Sequence, residues 1–132
     1  MEYTISQAAE RMNLTAHTLR YYDKEGLLPF VARTEGGIRH FTESDIEWLA
    51  LIRCLKSTGM PVKKIKEYID LCMRGDETLE ERRQIFIKQR ENVLRQMAEL
   101  TENLRTVEYK IKHYDEAVAL YEQRMEKFKN HA

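Results

Sequence analysis

From Phe86 onward the chain keeps a strict seven-residue rhythm, and that rhythm limits what it can fold into more than any other feature. One position of the repeat reads Phe86, Val93, Leu100, Val107, Tyr114, Tyr121 and Phe128. The position four residues on reads Arg90, Met97, Leu104, Ile111, Val118 and Met125, with Arg90 the one break. A period of 3.5 residues puts both series on a single stripe of an α-helix, the seam of a coiled coil. The intervening positions are mostly Glu, Lys, Arg, Gln and Asn, and neither Pro nor Gly follows Gly75. The predicted helix therefore runs for about 40 residues or more, roughly 60 Å at the α-helical rise. Such a stripe needs a partner, because the N-terminal part of the chain is too small to cover it. The expected partner is a second copy, paired through Val93, Met97, Leu100, Leu104, Val107, Ile111 and Tyr114. The repeat itself is compatible with parallel and with antiparallel pairing.

In 132 residues there is room for one small core beside that helix. Only 5 Gly and 2 Pro stand against 33% charged residues, so turns are few and the fold is expected to be mainly α. The opening Met1-Glu2-Tyr3-Thr4 lacks the basic and apolar regions of a signal peptide, and no apolar run reaches membrane-spanning length. A cytoplasmic chain with no membrane contact is expected. There Cys54 and Cys72 would stay reduced, and they are too few and too far apart in sequence to make a thiolate metal site. His113 and His131 bring no evident partner set, so neither metal nor cofactor is expected. No Gly-rich phosphate loop, nucleophile elbow or ligand cluster suggests an enzyme. Lys plus Arg and Asp plus Glu balance at 22 each, which disfavours indiscriminate attraction to nucleic acid. Sequence-specific binding needs only a local cluster on one face.

Helix starts are marked by hydroxyls at Thr4, Thr15, Thr42 and Thr78, each able to accept a bond from an early backbone N–H. Thr4-Ile5-Ser6-Gln7, Thr42-Glu43-Ser44-Asp45 and Thr78-Leu79-Glu80-Glu81 have the form of capping boxes. A further helix is predicted from Pro61, just past the helix-stopping Gly59. The first two helices, Ile5 to about Met12 and Ala16 to about Glu25, are joined by the tight link Asn13-Leu14-Thr15, which is helix-turn-helix spacing. Leu19 and Tyr22 fall on the inward face of the second helix, opposite Ile5, Ala8, Ala9 and Met12. That leaves Ala16, His17, Thr18, Arg20 and Tyr21 on its outer, N-terminal part, where a major groove would lie. Arginine can bond a guanine edge or a phosphate, and small or hydroxylated residues permit close approach. The other reading is that Arg20 pairs with Asp23 or Glu25 and Tyr21 only covers the core.

Between Leu28-Pro29 and Thr42 the helical period disappears. Phe30-Val31-Ala32-Arg33 and Ile38-Arg39-His40-Phe41 flank Thr34-Glu35-Gly36-Gly37, the pattern of a small hairpin, or wing. It carries Arg33 and Arg39, and Gly36-Gly37 would let the backbone approach a sugar-phosphate rail. The expected architecture is a winged helix-turn-helix DNA-binding domain with two linking helices over residues 1–75, then a coiled-coil dimerisation helix over 76–132.

The run Thr4-Ile5, Ala8, Leu19-Arg20-Tyr21-Tyr22, Gly26-Leu27-Leu28-Pro29, Arg33, Gly37-Ile38-Arg39, Phe41, Asp45-Ile46 and Gly59-Met60 resembles, in that order, the mercury-resistance-regulator (MerR) family of transcription factors. The resemblance implies a homodimer with an antiparallel coiled coil on double-stranded promoter DNA. It implies that the dimer kinks and untwists a pseudo-palindromic element so that RNA polymerase can open the promoter. It places Ala16, His17, Thr18, Arg20 and Tyr21 of the recognition helix, and Arg33, Gly37, Arg39 and His40 of the wing, on DNA. Where the family often has Tyr, this chain has Phe41, which can pack but cannot bond a phosphate.

Ending soon after Phe128, the chain is expected to carry no separate ligand-binding domain. On the Pro61 helix, Cys72 continues the apolar series Val62, Ile65, Ile69 and reads as a core filler. On the preceding helix the core stripe reads Trp48, Leu51, Ile52, Leu55, and Cys54 lies off its centre, the more accessible thiol. The region Ile52-Arg53-Cys54-Leu55 with Gly59-Met60, and Tyr109-Lys110-Ile111-Lys112-His113-Tyr114, is similar to the thiol-dependent, aldehyde- and electrophile-responsive subgroup of the family. In that subgroup the cysteine at the Cys54 position is the proposed sensor. No Lys, Arg or His lies one turn from Cys54 on its own helix to stabilise a thiolate, and a purely structural thiol is the other reading. Two rival functions are a coiled-coil adaptor that binds protein, and a regulator that takes a small hydrophobic ligand at Trp48, Tyr68 and Tyr109.

Overall fold

The computed structural model describes residues 2–131, so the outer domain limits expected at Met1 and Ala132 lie outside the described residues. A short strand β1 (Glu2–Tyr3) leads into α1 (Ile5–Arg11) and α2 (Ala16–Lys24). The wing strands β2 (Ala32–Arg33) and β3 (Arg39–Thr42) follow, then α3 (Glu43–Ser57), α4 (Val62–Arg74), a 3-10 turn (Asp76–Thr78) and the long α5 (Leu79–His131). The chain divides into two compact units at Arg90 and Glu91. The first turns of α5 thus belong to the N-terminal unit, beyond the limit expected at residue 75: Ile85 and Phe86 pack on its core, and Gln89 is buried in it.

Two helix starts obey the chemistry of the sequence closely. Gln7 donates its backbone N–H to the Thr4 hydroxyl at 3.2 Å while its side-chain oxygen takes the Thr4 N–H at 2.9 Å. Asp45 and Thr42 repeat the exchange at 3.2 and 2.9 Å, satisfying two otherwise orphaned donors of α3. The capping box expected at Thr78 does not form. Its hydroxyl turns inward, donating toward the carbonyls of Leu71 (2.7 Å) and Gly75 (2.8 Å) and accepting from Arg82 Nε (3.0 Å). The 3-10 turn causes this: it buries Thr78 to 1% exposure and spends the side chain on the carbonyl end of α4. Gly75 allows that turn, with φ of +95° in the region closed to most side chains.

The core of the N-terminal unit gathers Ala8, Ala9 and Met12 of α1, Leu19 and Tyr22 of α2, Phe41 of β3, and Ile65 and Ile69 of α4 around one face of α3. That face is Ile46, Leu49, Ile52 and Leu55, one step round from the expected stripe. Trp48 and Leu51 are half-buried at its edge. The cap Thr42 is itself the last residue of β3 and so fixes the rotational phase of α3, whatever the bulk of the indole. Trp48 stacks on Phe30 (5.4 Å between centroids) and meets Tyr68 (6.2 Å), which stands edge-on to Phe86 at 5.0 Å. Cys72 is half-buried at the end of the α4 series and is not a core filler. Arg82 Nη1 lies 3.9 Å from its sulfur.

Strand β1 has no counterpart in the sequence-based prediction. It pairs antiparallel with β3, Glu2 opposite Thr42 and Tyr3 opposite Phe41, and so completes a three-stranded sheet of order β1-β3-β2. Arg11 of α1 fastens this edge, donating to the Tyr3 hydroxyl at 2.6 Å and to Glu43 at 2.8 Å. Hydrogen bonds from Tyr3 and then Arg11 hold the Glu43 carboxyl below the usual carboxylate range.

The C-terminal unit is the remainder of α5. Its seam residues from Met97 and Leu100 through Met125 and Phe128 are between 48% and 72% exposed. Among the described residues no helix is long and apolar enough to cross a membrane.

Candidate nucleic-acid interface

The helix-turn-helix depends on a tight reversal between α1 and α2. Asn13 enters the left-handed region with φ of 55°, which Asn tolerates better than most residues. Leu14 N–H then bonds the Ala9 carbonyl at 2.8 Å. From α3, Arg53 donates to the Met12 carbonyl at 2.7 Å, so the turn is held from outside by a residue that the sequence did not single out. Thr15 caps α2 by accepting the Thr18 N–H at 3.1 Å, and the two threonine hydroxyls are 2.9 Å apart.

With Leu19 and Tyr22 buried, α2 presents His17, Arg20 and Tyr21 outward, while Ala16 and Thr18 are half-buried at its start. Arg20 makes no ion pair with Asp23 or Glu25 among the described residues, and Asp23 is engaged by the wing. Tyr21 is 44% exposed, more than a ring that merely covers a core.

The wing is shorter than expected. Its register sets Ala32 opposite His40 and Arg33 opposite Arg39, and Phe30, Val31 and Ile38 lie outside the strands. Thr34 closes the loop: its N–H bonds the Ile38 carbonyl (2.8 Å) and its carbonyl accepts from Gly37 N–H (2.9 Å). At Gly37 φ is +81°, so a side chain there would strain the backbone although nothing stands within 4 Å of the added carbon. The two wing arginines differ. Arg33 is half-exposed at 51%, whereas the side chain of Arg39 is only 16% exposed and gives its guanidinium to Asp23 and to the Val31 carbonyl. His40 is partly covered, its Nδ1 3.3 Å from Glu2 on β1. Phe41 is fully buried beneath the sheet.

Farther from this surface, Cys54 is exposed on α3. Its backbone carbonyl accepts from the Thr58 N–H (3.1 Å) and hydroxyl (3.2 Å). Thr58 in turn receives Gln89 Nε2 of α5 at 2.7 Å. Neither Thr58 nor Gln89 carried a sequence signal, since a contact between positions 31 apart has no periodicity to reveal it. Trp48 and Tyr68 border a shallow depression with Glu47 and Leu51, and Tyr109 belongs to the other unit. Among the described residues no three His, Cys, Asp or Glu gather in a way that could hold a metal ion.

Comparison with known proteins places this geometry. The model of the MerR HTH family regulatory protein matches residues 3–72, and that of the MerR DNA-binding region matches residues 46–108. An uncharacterised HTH-type transcriptional regulator of Haemophilus influenzae is 50% identical over 120 residues, 91% of this chain and 89% of its own. The regulator AdhR of Bacillus subtilis is 40% identical over 90 residues, 68% of this chain and 64% of its own. Among solved structures, that of HiNmlR, a MerR family regulator lacking the sensor domain and bound to promoter DNA, superposes with a TM-score of 0.84 at 50% identity. The match covers 91% of this chain and 95% of that one. With the helix-turn-helix, wing and long helix all inside the matched span, the chain belongs to the MerR family and is a DNA-binding transcriptional regulator.

Proposed function

We propose that this regulator acts as a homodimer on double-stranded promoter DNA and distorts the duplex so that RNA polymerase can engage the promoter. The observation that carries the reading is the uncovered seam of α5, apolar and 48–72% exposed along its length. A stripe of that extent in water is an association surface, and its 3.5-residue period selects another helix of the same kind. A dimer offers two copies of α2 and the wing to a pseudo-palindromic site. His17, Arg20 and Tyr21 reach base edges and phosphates, with Ala16 allowing close approach and Thr18 adding its hydroxyl. Arg33, Gly37 and His40 meet the backbone from the wing, whose shape Arg39 maintains. Bending and untwisting the duplex costs several kcal/mol, on the order of 1–10, which contacts on both half-sites must offset. Footprinting on DNA upstream of the chain's own gene is expected to show two symmetric protected half-sites between the polymerase recognition boxes. A single protected half-site, or protection outside the boxes, would contradict this reading.

We further infer that Cys54 is the switch. Support comes from its exposure, from the bonds that tie its helix end through Thr58 to Gln89 of α5, and from the resemblance to the thiol-dependent subgroup, with AdhR among the relatives. An aldehyde adds to the thiol without an oxidant: sulfur bonds the carbonyl carbon, the proton passes to oxygen, and a hemithioacetal results. The added bulk at the end of α3 would disturb the Thr58–Gln89 contact that joins α3 to the first turns of α5. Transcription from the cognate promoter is expected to respond to an aldehyde in the wild type and not in Cys54→Ser. An undiminished response in that variant refutes the assignment.

A further inference from the structure

Asp23 sits in the last turn of α2, the helix that carries His17, Arg20 and Tyr21, and its side chain faces the wing. One carboxylate oxygen takes Arg39 Nη2 at 2.6 Å; the other takes Arg39 Nε at 3.2 Å and Arg33 Nη2 at 3.3 Å. The hairpin register sets Arg33 and Arg39 directly opposite each other, where two like charges repel. A single carboxylate therefore holds together the guanidinium groups of both strands. From the far side Arg39 is held by the Val31 carbonyl, and Arg33 by the Gly37 carbonyl at 3.2 Å. The side chains of Asp23 and Arg39 are 22% and 16% exposed, so their two-pronged bond is largely shielded from water and geometrically specific.

A carboxylate on the side of the molecule that meets DNA repels phosphate. Its presence between recognition helix and wing calls for a compensating gain, and the bonds above supply one. We propose that Asp23 is a positioning residue for DNA recognition: it locks the wing at a fixed distance and angle from the recognition helix. Arg39 is the other half of that lock and not a phosphate contact. The inference rests on the proposed placement of α2 and the wing on DNA.

Two consequences of removing the carboxylate have opposite signs. Deleting a negative charge raises affinity for any polyanion by Coulomb attraction, whereas loosening the wing lowers affinity for the correct sequence alone. The probes are a duplex selected from a random pool by the wild-type chain and a shuffled duplex of equal composition. Both are titrated over a range of salt with wild type, Asp23→Asn, Arg39→Gln, the double variant and Arg20→Ala. Asp23→Asn is expected to lose affinity for the selected duplex by on the order of tenfold, while its affinity for the shuffled one holds or rises. Arg39→Gln should show a similar loss on the selected duplex, and the double variant should bind it no worse than either single one. Because Arg39 touches no phosphate on this proposal, its loss should leave the slope of log affinity against log salt unchanged. A lost phosphate contact would reduce that slope by about 0.9 per protomer.

Losses that add in the double variant, or a reduced slope in Arg39→Gln beside wild-type binding by Asp23→Asn, overturn the proposal. Should Asp23→Asn melt at the assay temperature, Asp23→Glu is read in its place. It keeps the charge but moves the carboxylate by one methylene, so reduced affinity for the selected duplex is expected and unchanged affinity overturns the lock. If Arg20→Ala binds the selected duplex as wild type does, the placement of α2 on DNA fails and the lock falls with it. If Arg20→Ala weakens binding and Asp23→Asn does not, the lock alone fails.

Discussion

Tyr68 shows how one side chain can carry both packing and a pH dependence. Its ring lies between Trp48 and Phe86, and its hydroxyl is pushed up to about 12, by burial first and then by the hydrogen bond and charge of Cys72, with Arg82 acting in the opposite direction. The folded state therefore favours the neutral phenol more than the unfolded state does, whose tyrosines titrate near 10. The stability this provides is complete below pH 10 and is lost as pH rises from there through about 12. Urea midpoints measured from pH 8 upward should fall steeply over that interval in the wild type and less steeply in Tyr68→Phe, which has no proton to lose. Equal slopes for the two proteins would show that the hydroxyl is solvated as freely in the fold as outside it. The neighbouring Cys72 also shows that the two thiols differ in more than exposure. It has the guanidinium of Arg82 beside it, while Cys54 is the thiol open to a reagent.

At the scale of elements, α3 connects most of what the N-terminal unit does. Its cap at Thr42 joins it to the wing strand β3, Arg53 fastens it to the helix-turn-helix, and its end at Thr58 meets α5. Thr42→Ala removes the side-chain half of the capping box and is expected to cost about 1 kcal/mol, while Thr42→Ser should stay within a few tenths. Urea unfolding at one fixed protein concentration measures both, and an equal loss in the two would mean that the methyl group, not the hydroxyl, is what matters. This element also marks where the sequence was readable. Capping is chemistry between residues three apart, so Thr4 and Thr42 announced their helices correctly. The phase of α3 was misjudged because a tally of apolar side chains gives Trp48 the same weight whether it is buried or lies at an edge. Strand β1 was missed because its two residues have no period and pair with residues about 40 positions away. The link from Asp23 to both wing arginines stayed hidden for the same reason: it joins elements whose relative placement only the fold decides.

For the whole molecule, balanced charge and an exposed seam lead to one expectation about how it holds DNA. With 22 basic and 22 acidic residues, general attraction to the duplex is weak, and the proposed dimer would bind through two local clusters acting together. Linking two reading heads can raise overall affinity by roughly 10²–10⁴ over one head alone. Leu104 and Ile111 lie on the seam, 53% and 55% exposed in the single chain, and outside the unit that holds the reading head. Replacing both by Glu would place carboxylates where apolar contact is required, at several kcal/mol for each unpaired buried charge. The variant should sediment as a monomer and should lose the concentration dependence of melting that an obligate dimer shows. Its N-terminal unit should still fold, because Phe41, Leu49 and Ile65 are buried within that unit. Its affinity for a two-half-site duplex should fall toward that of wild type for an isolated half-site, in the range set by the lost linkage. If the variant remains dimeric and binds the full site as before, the seam is not what joins the two heads, and the stripe in α5 must serve another contact.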